Sequence, residues 1–371
     1  MNVLVVSGIW PPDIGGPASH GPDVAGFLAS RGHRVRVLTT AVGPPAAQSS
    51  PVDWVSRKLP KGVIHVRAGI EVARLAREAD VVYTTGMFGR SSGGAFLARR
   101  PYVVKLTADP AFERARRRGL IGGDVDEFQR ARVGASIRVL RVARDLELRH
   151  AAHVFTPSAY LRELAVGWGV DPPRVTVLPN PAPPLPPLRP RDELRASFGM
   201  TGPTLAFAGR LTAQKSLEVA LAAVEEVDGV SLLIAGDGDE RPRLERLAGG
   251  RVRFLGSLSR ARVVELFAAA DATILSSGWE NFPHTVVEAL AVGTPVIATA
   301  AGGVAEVVAN EENGLLVPAG DAERLAAAVR RFFADRDLRE RLRRSAAGSV
   351  ERYAPERILE ELESTLVQVA R

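Results

Sequence analysis

The 371-residue chain contains no cysteine. That excludes disulfides, thiolate metal sites and cysteine nucleophiles, and it suits a cytoplasmic compartment. Aromatic residues amount to 6% of the chain. They are sparse beside the basic clusters and no reading helix is evident, so nucleic acid is not expected as a partner. No stretch approaches the roughly 20 apolar residues that a membrane-spanning helix requires. The opening segment, Met1 to Gly8, has no basic leader and its apolar run stops at Ser7, so a signal peptide is not expected either. Lysine is scarce. Lys58, Lys61, Lys105 and Lys215 are the only lysines among 48 basic residues. Arginine therefore carries the net charge of +6, with clusters at Arg99-Arg100 and Arg114 to Arg118 in the first half. An anionic lipid surface or a phosphorylated acceptor suits such clusters, although an ordinary solvated helix face has the same composition.

What is present is a repeated strand, turn, helix pattern in a chain long enough for two domains. Apolar residues reach 46% and charged residues 24%, the balance of a globular protein with substantial cores. Short apolar runs without alternation mark buried parallel strands at Val3 to Ser7, Arg34 to Thr39, Val63 to Val66, Val81 to Thr84, Tyr102 to Leu106 and Val154 to Thr156. Helices are expected between them, including one long helix from Asp124 to His150. The segment from Leu178 to Pro190 is rich in proline and reads as a stiff linker. After it the alternation restarts. The expected organisation is a first domain over 1–180, a linker over 181–190, a second domain over 191–352 and a final helix in 353–371 able to pack back on the first domain. The expected fold class is α/β, with two Rossmann-like doubly wound domains facing each other across a cleft.

The strongest local pattern is Glu280-Asn281-Phe282-Pro283-His284-Thr285-Val286-Val287-Glu288. It follows a strand and runs into a helix, with Pro283 suited to a first-turn position. The amides of His284, Thr285 and Val286 would then open a positive helix end toward a diphosphate. Glu288, about one turn further in, can accept both hydroxyls of a ribose. Glu280 precedes the helix, where it would face a transferred sugar. Two glutamates at this spacing also occur as solvated acids on an ordinary capped helix, so the pattern gains weight from its company. Gly209-Arg210-Leu211 and Lys215 follow the first strand of the second domain. A lysine kept in a chain that otherwise uses arginine suits a compact point charge at phosphate.

This arrangement resembles the Glu-x7-Glu motif of retaining glycosyltransferases of family 4, which have the GT-B fold, and the resemblance runs along nearly the whole chain. It implies a hexosyltransferase that takes its sugar from a nucleotide diphosphate donor, UDP- or GDP-linked, with no cofactor and no metal. It implies catalytic roles for Glu280, Asp109, Arg210 and Lys215. Donor binding would fall to Gly15, Gly16, Arg210, Lys215, Leu255, Glu280, Asn281, Phe282, His284, Thr285, Val286 and Glu288. Gly15 and Gly16 resemble the family's paired glycines, whose lack of a Cβ lets backbone approach the donor phosphates. Leu255 is expected to meet the nucleobase through its backbone, and Ser158 to help hold the cleft. Asp237-Gly238-Asp239 matches a metal-holding D-x-D, but basic groups already serve the diphosphate, and no metal is expected there.

On the acceptor side the expected residues are Lys105, Thr107 and Asp109. A lysine in an apolar strand is costly unless its head reaches a cleft. Family members often carry a histidine in this region, which the chain lacks, so no general base is assigned. The acceptor is expected to be a sugar, a lipid-linked precursor or a small molecule. Cytoplasmic placement with peripheral contact at the inner face of a membrane fits that range. Two other readings stand beside this one: a nucleotide-sugar epimerase on the same fold, and a nucleotide-sugar-binding protein without turnover. Product analysis separates the three.

Overall fold

The computed structural model describes residues 1–13, 16–46, 48, 50–182 and 184–371, and the side chains of 16–19 and 61 are outside that description. The chain forms two compact units, Met1–Pro179 with Glu356–Arg371, and Asn180–Pro355.

The first unit runs β1 (Asn2–Val6), α1 (Gly16–Ser30), β2 (Arg34–Ala41), β3 (Val52–Ser56), α2 (Lys61–Ala76), β4 (Val81–Thr84) and α3 (Phe88–Ala98). It continues with β5 (Tyr102–Lys105), α4 (Pro110–Arg117), α5 (Val125–Arg130), α6 (Ala135–Arg149), β6 (His153–Thr156), α7 (Ala159–Gly167) and β7 (Val175–Val177). Seven strands form one sheet in the order β3-β2-β1-β4-β5-β6-β7, and every pair is parallel. Alternate residues of each strand feed two cores, as a two-sided sheet requires. Leu4, Val6, Val82, Val104 and Val154 face Ala68 and Val72 of α2, Ala95 of α3 and Leu148 of α6. Val3, Val5, Val81, Val103 and Phe155 face Val24 and Leu28 of α1 on the other side.

The second unit runs α8 (Arg191–Ser197), β8 (Thr204–Ala208), α9 (Leu217–Glu225), β9 (Ser231–Ala235), α10 (Arg241–Leu247), β10 (Val252–Gly256) and α11 (Arg260–Ala269). Then follow β11 (Ala272–Leu275), α12 (His284–Ala291), β12 (Val296–Thr299), β13 (Gly314–Val317), α13 (Ala322–Ala334) and α14 (Arg336–Ala346). Its six-stranded sheet has the order β10-β9-β8-β11-β12-β13, again parallel throughout. The last helix, α15 (Pro355–Ala370), returns to the first unit. Ile358, Leu359, Leu362 and Leu366 enter the α1-side core, and Glu363 accepts from His33 Nε2 at 2.7 Å.

Two expectations need correction. Val63 to Val66 is not a strand; it lies in the first turns of α2. Its valines point outward, while Ala68, Val72, Leu75 and Ala76 supply the inward helical stripe, so tertiary packing outweighs β-branched propensity. The added strand is β3, on the sheet edge. The helix expected from Asp124 to His150 is two helices. Asp124 starts the first with a reciprocal cap to Glu127, the chain turns extended at Ala131, and Gly134 starts the second. Ser158 Oγ caps α7 by accepting from Leu161 N at 3.2 Å, and the residue is fully buried.

Lys105 ends β5 without reaching solvent. Its side chain is fully buried and Nζ donates to the Leu178 carbonyl. Burial pushes the ammonium down to about 7, against a smaller opposing pull from Glu361 on α15. The unfolded chain holds that proton up to about pH 10.5. Between those values the unfolded state binds more protons than the folded one, so stability rises with pH across that window. Below about pH 7 both states are charged, and the buried ammonium costs the fold a few kcal/mol. Lys105→Met should therefore stabilise the protein most at pH 6 and progressively less toward pH 10 in thermal melts. A pH-independent difference between the two proteins would overturn this account.

Candidate functional site

In the second unit the strand order reverses between β8 and β11. The loops leaving neighbouring strands there go to opposite faces of the sheet, which opens a crevice at the carboxyl ends. Three loops meet at that place, and small residues let them meet. A Cβ on Gly236 would fall 1.9 Å from the Gly209 carbonyl oxygen, and one on Gly238 would fall 2.3 Å from that of Leu211. The turn after β9 therefore lies directly on the turn after β8, closed by Leu211 N to Asp237 O at 2.9 Å.

The turn from Ala213 to Lys215 is clamped in turn to the segment after β11. Gly278 N donates to Gln214 O at 2.9 Å, Gln214 Nε2 to Trp279 O at 3.0 Å, and Ser276 Oγ to Lys215 O at 3.0 Å. These bonds bring Lys215 Nζ onto Glu280 Oε1. The same oxygen accepts from Ser277 Oγ at 2.8 Å. The backbone of Glu280 is used as well. Its carbonyl accepts from Gly303 N at 2.9 Å, and Gly302, at φ +53°, passes so close that a Cβ would sit 2.1 Å from that oxygen.

Beside this cluster is a cavity of about 320 Å³ lined by Gly209, Arg210, Gly236, Arg260, Thr285 and Glu288 among others, a size within reach of a nucleotide fragment. Glu288 is nearly buried, and burial raises its carboxyl above the usual range against the opposing pull of Arg260. Arg260 reaches it with Nε and Nη2, each 3.1 Å from Oε1. Arg210 is exposed at the cavity wall. The site thus offers two cationic groups at one side, a helix end, and a carboxylate deep in the pocket.

Comparison with known proteins identifies the family. Residues 15–181 match the family described as glycosyl transferase 4-like domain, and residues 190–348 match glycosyl transferases group 1. The chain belongs to the family 4 type of glycosyltransferases. The lipopolysaccharide core biosynthesis glycosyltransferase LpsE of Rhizobium meliloti is 38% identical over 41% of this chain and 45% of its own length. The glycogen synthase of Mycobacterium tuberculosis is 28% identical over 93% of this chain and 89% of its own. Among solved structures, Anabaena HepE in complex with UDP superposes with a TM-score of 0.79 at 21% identity, over 99% of this chain and 100% of that one. That likeness places the fold as GT-B.

Within this glycosyltransferase the expected residues divide into groups. Arg210, Thr285 and Glu288 line the cavity, while Lys215 and Glu280 form the pair next to it. Leu255 lies where β10 slips register between Phe254 and Gly256 against β9, which leaves its own backbone outside the ladder. Pro283 is the cap of α12 and not its first-turn residue. The amides of His284 and Thr285 sit at the open end of the helix, but Val286 N is taken by Pro283 O at 3.0 Å, so the expectation for the Val286 amide is corrected. Phe282 is buried edge-on against Tyr353 at 5.6 Å, a packing contact. Asn281 Oδ1 is buried and accepts no hydrogen bond among the described residues. Asp237 is held by Arg241 at 3.0 Å.

In the first unit Gly15 lies outside the described residues and Gly16 opens α1. Thr107 is exposed after β5. Asp109 is turned inward. Its carboxylate caps α4 through Ala111 N and Phe112 N and meets Gln129 Nε2 at 2.9 Å and Arg144 Nη1 at 2.8 Å. That engagement supports the loop and leaves little of the carboxylate for an acceptor. Sequence reasoning missed Arg260 and Ser277. Both sit in segments rich in similar residues, and only their contacts with Glu288 and Glu280 distinguish them.

Gly302→Ala should displace the Glu280 carbonyl and lower stability by roughly 2–4 kcal/mol, whereas Gly250→Ala, with open space around its Cβ, should be near neutral. Equal melting temperatures for the two variants would show that the close approach is not required.

Proposed function

We propose that this glycosyltransferase moves a hexose-type sugar from a nucleotide diphosphate donor to an acceptor hydroxyl, with retention of anomeric configuration and without a metal ion. The observation that carries the reading is the joining of Lys215 to Glu280 beside a cavity that holds Arg210 and Glu288. As the bond from the anomeric carbon to the diphosphate oxygen breaks, negative charge grows on the leaving group. Arg210, Lys215 and the amides of His284 and Thr285 are the groups that would take up that charge. Their combined positive field is the reason no cation is required. The departing phosphate can accept the acceptor's proton, so a separate base is not needed.

Glu288 would accept the ribose hydroxyls, and the bulged backbone at Leu255 would meet the base. Glu280 and the unpartnered Asn281 Oδ1 would orient the sugar hydroxyls. With no donor bound, Glu280 neutralises Lys215, and an arriving diphosphate competes for that ammonium. HepE has been solved with UDP and with UDP-glucose, which supports a UDP donor over the GDP alternative. On the acceptor side Thr107 is the exposed group of its segment, with Asp109 and Lys105 as its supports. The name of LpsE supports a glycan or lipid-linked acceptor over a small molecule. Cytoplasmic placement with peripheral contact at a membrane completes the reading.

A thermal-shift panel of UDP-, GDP- and ADP-sugars, with and without EDTA, tests it. One nucleotide class at 100 times its dissociation constant should add about 2.7 kcal/mol, unaffected by EDTA and lost in Lys215→Ala. Arg210→Ala should lower turnover by about 10²–10³ while the fold is kept. Stabilisation abolished by EDTA, or no response to any donor, would count against the reading.

A further inference from the structure

Most large apolar side chains that the protein leaves exposed lie on three helices. Val63, Val66 and Ile70 stand on α2, Phe96 and Leu97 on α3, and Val139, Val142 and Leu146 on α6. Phe96 is 80% exposed, Val139 67% and Val66 65%, values far from those of residues half-hidden at a core margin. The three helices cover the same face of the first sheet through Ala68, Val72, Ala95 and Leu148. Helix α3 lies close against both neighbours. A Cβ on Gly94 would fall 2.5 Å from Val72 Cγ1, and one on Gly89 would fall 2.6 Å from Glu147 Oε1. Their outward sides therefore form one continuous surface.

That surface is basic. Arg67 and Arg74 on α2, Arg99 and Arg100 at the end of α3, and Arg138 and Arg149 on α6 are all exposed. The carboxylates of the three helices are already engaged: Glu71 with Arg74 at 2.8 Å, Asp145 with Arg144 at 2.8 Å and Glu147 with Arg114 at 3.3 Å. Arg67, Arg99 and Arg138 have no ion-pair partner among the described residues.

Arginine and apolar residues are interleaved along α2 (Val63, Val66, Arg67, Ile70, Arg74) and α6 (Arg138, Val139, Val142, Leu146, Arg149). A protein interface gathers its apolar residues in a centre with a polar rim. Interleaving is instead what a helix lying in a bilayer interface requires, because arginine stems reach up to headgroups while apolar tips enter the acyl boundary. A second copy of the chain would bring arginine against arginine, which disfavours self-association. No helix among the described residues is long and apolar enough to cross a membrane, so contact of this kind is peripheral. We propose that the outward face of α2, α3 and α6 docks on an anionic lipid bilayer, with Phe96 and Ile70 entering it and Arg67, Arg99 and Arg138 contacting phosphate headgroups. The proposal rests on the peripheral-contact part of the reading above and is independent of its donor chemistry.

The full chain is sedimented with vesicles of phosphatidylcholine alone and of phosphatidylcholine with phosphatidylglycerol, without any sugar donor. Binding to the anionic vesicles is expected, with little to the neutral ones, and it should weaken steeply as salt rises from about 0.05 to 0.5 M. Phe96→Asp and, separately, Arg99→Ser should each weaken it by about tenfold or more, with unchanged melting temperatures. The second variant keeps the test open if the first misfolds. No binding to anionic vesicles, or binding indifferent to both substitutions, overturns the proposal. So does a concentration-dependent dimer in light scattering that Phe96→Asp abolishes, since the face would then pair copies. Vesicle binding without any donor-induced thermal shift would keep this inference and remove the donor reading.

Discussion

A carboxylate taken out of water must be compensated, and in the second unit Glu280 is that carboxylate. The residue is 5% exposed, and the loops around it are arranged by its needs. Ser277 and Lys215 supply donors to one oxygen, and Gly303 supplies a donor to its carbonyl. Lys215 reaches Glu280 only because the turn before α9 is bonded to the segment after β11 through Gln214 and Gly278. Gly302 is glycine because backbone must pass within van der Waals reach of Glu280 itself. One buried charge thus ties the loops after β8, β11 and β12 into a single body. A site built this way is organised before any ligand arrives, which is what electrostatic stabilisation of a leaving group requires.

Both units rest on the same scheme, a parallel sheet covered on two faces, and they use it differently. Parallel strands leave their loops at common ends, and the change of direction at β8 and β11 turns one such end into a cavity. In the first unit the corresponding polar residues are spent internally. Lys105 is closed in by the Leu178 carbonyl, and Asp109 binds Arg144, whose guanidinium also lies 3.9 Å over the Trp168 ring. Arg144 shows why arginine suits such a place. Its flat, weakly hydrated head can stack and hydrogen-bond together when buried, which an ammonium cannot. The same residue type serves the opposite purpose on α2, α3 and α6, where it stands in solvent among exposed apolar side chains.

The sheet periodicity, the break at the proline-rich segment and the glutamate spacing at Glu280 and Glu288 were legible from residue order alone. Each is a local property: burial of a strand shows as an apolar run, and a helix start shows in the residues that cap it. Lys215 stands out in the sequence too, because it is the only lysine after Lys105 in an arginine-rich chain. The strand reading of Val63 to Val66 failed for the complementary reason. Short apolar runs look alike in a strand and on the outside of a helix, and only the partner surface distinguishes them.

What only the tertiary structure decided are the pairings. Arg260 and Glu288 are 28 positions apart and Lys215 and Glu280 are 65 apart, so no periodicity links them. They meet because strand order sets β8 directly beside β11, and β10 one strand beyond β9 on the other side of β8, with their carboxyl ends on the same side of the sheet. The inward turn of Asp109 toward Arg144 and the sealing of Lys105 against Leu178 have the same kind of origin in the first unit. Hydrogen-bond partners are fixed by which loops the sheet brings together, and residue order specifies that arrangement only through the folded whole.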